Sequence, residues 1–165
     1  MAGSLVFRRI ADWVTARPLR AFFVFLLFHA LLWVALPTLL YPTLPLDVIE
    51  VLVYGREWQL GHDQLPPLPG WLAEIARILV GRDIAYYALG QLAVCSAFAL
   101  VFATALPIVG PLGALASVLI LDGLHYFSIS ATKFNHNVIQ LPFWSLAGFS
   151  LHRALRTGRL LYWVL

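Results

Sequence analysis

Charge is what this chain has least of. Only 12% of its 165 residues are Asp, Glu, Lys or Arg, against 61% hydrophobic, and the mean hydropathy is +0.84. A soluble domain carries about 25% charged residues, so a water-bathed globule is excluded and lipid is the solvent for most of the surface. Thiols are scarcer still: Cys95 stands alone in an apolar run, which excludes an internal disulfide. A net charge of +3, scattered along the chain, excludes the concentrated basic face that nucleic acid requires. No metal-ligand spacing links His62, His125 and His136, so neither a metal nor another cofactor is expected. A cleavable leader is not expected either. The apolar stretch behind Arg8, Arg9, Arg17 and Arg20 is longer than a signal core, and no small-residue cleavage pattern follows it.

What is present is long apolar runs. Leu19 to Leu40 is 22 residues, and about 20 residues at 1.5 Å each cross a hydrocarbon core. Ile84 to Leu106 meets the same criterion. Two runs of 14 residues, Ile108 to Leu121 and Val138 to Leu151, are extended by mildly polar neighbours. The expectation is therefore a cytoplasmic N-terminus over 1–18 and a membrane domain over 19–165. Its spans are set at about 19–40, 84–106, 108–128 and 137–152, with a fifth starting at 160. Because the sequence stops inside Leu160–Leu165, the chain reads as the N-terminal fragment of a longer membrane protein, expected to be inactive alone.

Charge asymmetry orients these spans. Four of the 11 basic residues lie before or at the very start of the first run, and Arg153, Arg156 and Arg159 follow the fourth, which makes both flanks cytoplasmic. Six of the eight acids lie between runs one and two. That segment, and the one from Asp122 to His136, are expected outside; the short uncharged link near Pro107 to Pro111 is expected inside. The two outer segments can then meet over one membrane face.

The first outer segment, 41–83, carries the chemistry-bearing residues. Directly behind the first span, Leu-Pro-Leu-Asp-Val-Ile-Glu sets Asp47 and Glu50 at the bilayer's edge. A carboxylate pair there suits acid/base chemistry on a lipid-borne substrate; the plainer alternative is that Asp47 caps the helix that begins there. From 46 to 60, Asp47, Glu50, Tyr54, Glu57 and Trp58 share one helical stripe, opposite Val48, Ile49, Val51, Leu52 and Val53. That pattern predicts an amphipathic helix lying apolar side down on the membrane, with Arg56 reaching toward lipid phosphates. Pro66, Pro67 and Pro69 stiffen the turn that follows. A second short helix, about 70–80, is expected to carry Trp71, Ile75, Ile78 and Leu79 on its apolar side and Glu74 and Arg77 as a surface ion pair. Within the spans, His29 reads as a histidine hydrogen-bonded inside the bundle; Gln91 and Cys95 read as packing contacts.

These residues look familiar as a set. Asp47-Val-Ile-Glu50, Tyr54-Gly-Arg-Glu-Trp58, Leu65-Pro-Pro-Leu68 and Trp71 resemble the first periplasmic loop of bacterial family-39-type glycosyltransferases. These belong to the superfamily of protein O-mannosyltransferases and the aminoarabinose transferase of lipid A. Lys133-Phe-Asn-His-Asn137 and Gln140-Leu-Pro-Phe-Trp144 resemble the matching second-loop segment, and the likeness runs from about Arg20 to Arg159. It implies an all-α integral membrane protein, a multi-span helical bundle of GT-C type with amphipathic juxtamembrane helices in the first periplasmic loop.

The resemblance also implies an activity and a set of roles. The enzyme would move a sugar from a polyprenyl-phosphate donor to a lipid, saccharide or protein acceptor on the periplasmic side of the bacterial inner membrane. Its partners would be that donor, the acceptor and the bilayer, with no nucleic acid. Asp47 would be the catalytic base, with Glu50 beside it. Arg56, His62, Pro66, Pro67, Lys133, Asn135, His136 and Asn137 would contact substrate, Lys133 as the first-choice cation for phosphate. Two positions depart from the family pattern. Gln64-Leu65 stands where many relatives carry a basic residue, leaving His62 as the nearest substitute. Asn135 and Asn137 stand where many carry an acid. The competing reading, a transporter or flippase fragment, would set ionisable groups near the bilayer midplane and show repeats; no repeat is visible among the runs.

Overall fold

A computed structural model describes residues 2–63 and 65–165, with side chains from Leu5 onward. Gln64, singled out above, lies outside the described residues. The protein is an all-α membrane protein, and no strand occurs among the described residues. Helix α1 (Ala2–Ala16) leads through Arg17 into α2 (Pro18–Leu40), where Pro18 stands at the first helical position, which costs no helical hydrogen bond. Then come α3 (Leu46–Gly55), α4 (Pro67–Leu79), α5 (Ile84–Asp122), α6 (His136–Thr157) and the short α7 (Leu161–Val164). Among the described residues, α2 and α5 are the helices long and apolar enough to cross a bilayer. The N-terminal stretch is itself helical, with Leu5, Phe7 and Ile10 exposed alongside Arg8 and Arg9, a composition suited to a membrane surface.

Helix α5 folds back on itself. Gly110 has φ 73° and ψ 176°, inside a helix flanked by Pro107 and Pro111; glycine takes that conformation at little cost. Three contacts establish the reversal. The His29 ring meets the Phe98 ring at 5.3 Å, Phe98 stacks on Phe127 at 5.4 Å, and His29 Nδ1 lies 2.8 Å from Asp122 Oδ1. In a straight helix Asp122 would stand roughly 36 Å beyond Phe98, too far for one histidine to touch both.

The returning arm is shorter than expected. Helix α5 ends at Asp122, not at 128, about halfway along α2, since its partner His29 is central in Pro18–Leu40. Residues 123–135 are not a free loop; they pack against the helices. Ser128, Ala131, Thr132 and Phe134 are buried, and the Ala131 carbonyl oxygen lies so close to Gly90 that any Cβ there would overlap it. Non-helical backbone at such depth must find internal partners. Here two 3-10 turns, His125–Phe127 and Ser130–Thr132, and the hydroxyls of Ser128 and Thr132, which donate to the carbonyls of His125 and Ile129, supply them.

The juxtamembrane helices are also arranged differently from the periodicity reading. Helix α3 stops at Gly55, leaving Glu57 and Trp58 in the following turn, with Trp58 at φ 50°. Val48 and Val51 are fully buried in the protein core rather than laid on lipid, while Ile49 and Val53 stay exposed. In α4 the expected apolar face is turned outward: Ile75, Ile78 and Leu79 are exposed, and Ala73, Glu74 and Ala76 are buried. Small residues let backbones approach, and large apolar ones lose nothing by facing lipid. The Gly55–Gly70 crossing of α3 and α4 is the clearest case.

Glu74 is thus not a surface charge. Arg77 Nε and Nη2 each donate to its carboxylate at 2.7 Å, and these bonds hold the Glu74 carboxyl below the usual glutamate range, with the charges of Arg77 and Arg56 adding to the effect. A lowered folded-state value contributes stability that is complete above the ordinary glutamate range and is lost as pH falls through the lowered one. Thermal unfolding in detergent is therefore expected to show acid lability that Glu74→Gln diminishes. Arg77→Leu, which strands a buried carboxylate, should lower Tm at neutral pH more than the Glu74→Leu/Arg77→Leu double variant does.

Candidate functional site

Asp47 occupies the first turn of α3, two residues past the cap residue Pro45, and makes no cap bond of its own. Its side chain turns instead to the opposite segment: Asn135 Nδ2 donates to Asp47 Oδ2 at 2.9 Å, across 88 residues of chain. Asn135 serves two ends at once. Its Oδ1 accepts from the N–H groups of Asn137 and Val138 and so caps α6, which fixes the amide plane and points Nδ2 at the carboxylate. Asp47 stays half-buried, with Oδ1 not committed to Asn135.

A hollow of about 190 Å³ opens beside this pair, lined by Asp47, Tyr126, Ser130, Lys133, Asn135, Asn137 and Val138. It gathers a carboxylate, an ammonium, two amides and two hydroxyls at the N-terminal end of α3. A proton acceptor and a cation in one small space can take a proton from one reacting group and neutralise a developing anion on another.

The structure brings together only part of the anticipated set. Asp47, Lys133, Asn135 and Asn137 share the hollow. Glu50, one turn on along α3, is half-buried and does not line it. His62, Pro66 and Pro67 belong to a second depression, walled also by Val51, Tyr54, Pro69 and Trp71. There the His62 ring lies 4.1 Å from that of Tyr54, and its Nδ1 is 3.8 Å from Glu57. Trp71 Nε1 donates to the Gln59 carbonyl and its ring stacks on Trp58, which pins the turn over α4. Arg56 is exposed beyond the end of α3, near enough to Glu74 to act on its charge. His136 begins α6, half-buried, with Nδ1 lacking a hydrogen-bond partner.

Two polar lining residues carry no signal in the sequence. Tyr126 and Ser130 sit on the two 3-10 turns, and no spacing marks them; only their place in the 122–136 segment, already paired with 41–83, pointed that way. The His29–Asp122 contact also joins residues that had been assigned to different environments.

Comparison with known proteins finds one family match. The family model described as dolichyl-phosphate-mannose-protein mannosyltransferase matches residues 64–165, more than half of the chain. The matched stretch holds Lys133, Asn135 and Asn137 and begins after α3, so Asp47 and Glu50 precede it. No curated protein and no solved structure matches.

Proposed function

Because the chain belongs to the dolichyl-phosphate-mannose-protein mannosyltransferase family, we propose that it is the part of a membrane glycosyltransferase that carries the catalytic base. The enzyme transfers a sugar from a polyprenyl-phosphate donor to a lipid, saccharide or protein acceptor at the periplasmic face of a bacterial inner membrane. The observation that carries this reading is the Asp47–Asn135 bond beside Lys133.

Chemistry follows from the groups in the hollow. Asp47 takes the proton from the acceptor hydroxyl through the oxygen that Asn135 leaves free. The acceptor oxygen bonds to the anomeric carbon as that carbon's bond to the phosphate oxygen breaks. The electron pair leaves on the polyprenyl phosphate, whose new charge Lys133 offsets. Asn135 holds the carboxylate in orientation, and Asn137 and His136 are placed to meet sugar or acceptor hydroxyls. Glu50 supports Asp47 from one turn away. His62, Pro66 and Pro67 form the adjoining wall against the donor, with Arg56 near lipid phosphates. Exposed apolar faces on α4 and α5 suit a donor whose long tail stays in the bilayer. Family membership favours transfer over transport.

The test is donor class. Purified full-length protein in lipid, offered radiolabelled mannose either as polyprenyl phosphate or as a sugar nucleotide, is expected to label acceptor membranes from the lipid-linked donor only. Labelling from the nucleotide sugar alone would sink this reading.

A further inference from the structure

The returning half of α5 ends in an ionisable pair at mid-height of α2. His29 is 2% exposed, and its Nδ1 meets Asp122 Oδ1 at 2.8 Å. Phe25, Phe98 and Trp33 enclose the ring at centroid distances of 5.8, 5.3 and 6.4 Å. Ionisable groups at such depth are costly and are seldom kept without a task. Metal binding is not that task, since among the described residues no third His, Cys, Asp or Glu joins the pair.

The position of Asp122 indicates what the pair does. It is the last residue of α5, and the segment that follows, 123–135, delivers Tyr126, Ser130, Lys133 and Asn135 to the hollow. That segment has no regular ladder to fix it. At its far end Asn135 bonds Asp47 and caps α6; between its ends the attachments are the Phe127–Phe98 stack, the Ala131 carbonyl against Gly90, and buried Phe134. Those middle contacts are non-directional packing, which tolerates sliding. The bond to His29 is directional, and it ties the residue just before the segment to α2, the helix that runs on into the Asp47 turn.

We propose that His29 is a positioning residue: through Asp122 it sets where segment 123–135 enters the bundle, and hence how Asn135 and Lys133 stand against Asp47. This rests on the sugar-transfer reading for its kinetic consequence, but not for its structural one. A shift of about 1 Å in reacting groups can cost about 10²-fold in rate.

The structural readout is a crosslink. In the full-length protein with Cys95→Ala, Asp47→Cys and Asn135→Cys are joined by a short bifunctional thiol reagent. Adding His29→Phe keeps the aromatic packing and removes the hydrogen bond to Asp122, whose side chain is 32% exposed. Crosslinking is expected to slow by about tenfold or more, and His29→Asn, whose amide can donate from nearly the same point as Nδ1, is expected to restore it. Val94→Ala, a cavity variant in the same core, should lower Tm without slowing the reaction, which separates positioning from general destabilisation. In the otherwise unaltered enzyme, His29→Phe should lower kcat by about 10²-fold with KM for the donor changed less than about threefold. Crosslinking at the parent rate in His29→Phe overturns the proposal, whatever the turnover. Crosslinking that depends on His29, in a protein that transfers no sugar, upholds it while removing the sugar-transfer reading.

Discussion

Asp47→Asn in the full-length enzyme is expected to lower kcat for transfer from a polyprenyl-phosphate sugar by about 10²–10⁴-fold, the usual worth of a positioned general base. The substitution is well matched to the site. An asparagine at 47 presents an oxygen where Oδ2 lies, so Asn135 Nδ2 keeps its acceptor and α6 keeps its cap. The hollow holds its shape and its Lys133, and only the capacity to accept a proton is lost. KM for the donor should therefore stay within about threefold, because an effect confined to kcat marks an interaction used in the transition state. Asp47→Glu restores the carboxylate but lengthens the arm by one methylene, and is expected to recover only part of the rate. Steady-state kinetics of both variants in nanodiscs, with membrane insertion confirmed by extraction, decide the matter. Turnover of Asp47→Asn within about threefold of the parent would remove Asp47 as the base.

The class of the protein was legible in its sequence because lipid leaves a compositional imprint: 12% charged residues admit little else. That the 41–83 and 122–136 segments meet was an expectation from charge asymmetry, and Asp47 does bond Asn135 between them. Other features were hidden for physical reasons. Periodicity ranks faces by hydrophobicity, which finds the buried face only when the alternative is water. In α4 the alternative is lipid, so Ile75, Ile78 and Leu79 lie outward and the small residues pack. Gly55 ends α3 by its crossing with Gly70, a tertiary contact with no local signal. The Pro107–Gly110–Pro111 cluster announced a break, but not that the returning arm would stop at Asp122. At that point its last residue meets His29, a contact with no local signal. Tyr126 and Ser130 reach the hollow only because the following segment turns inward.

The Gly55–Gly70 crossing carries the largest stability effect expected from a single methyl group. A Cβ on Gly55 would lie 2.9 Å from the Gly70 carbonyl carbon and closer still to its oxygen; a Cβ on Gly70 would lie 3.1 Å from Gly55 Cα. Both obstacles are backbone, so no side-chain rotation relieves them and the two helices must separate. Alanine in place of a helical glycine ordinarily gains roughly 0.5–1 kcal/mol, whereas overpacking of a tight contact costs about 1–3 kcal/mol. The cost wins, and Gly55→Ala is expected to lower Tm. Gly148→Ala supplies the contrast: it sits within α6 with nothing within 4 Å of the added carbon, so only the favourable term applies and Tm should hold or rise. Separation of α3 from α4 also tilts the first turn of α3, where Asp47 must meet Asn135, so Gly55→Ala should lose turnover below its own Tm while Gly148→Ala keeps it. Equal melting temperatures for the two variants would mean that the crossing yields without strain, and that α3 is held in place by Val48 and Val51 in the core rather than by its contact with α4.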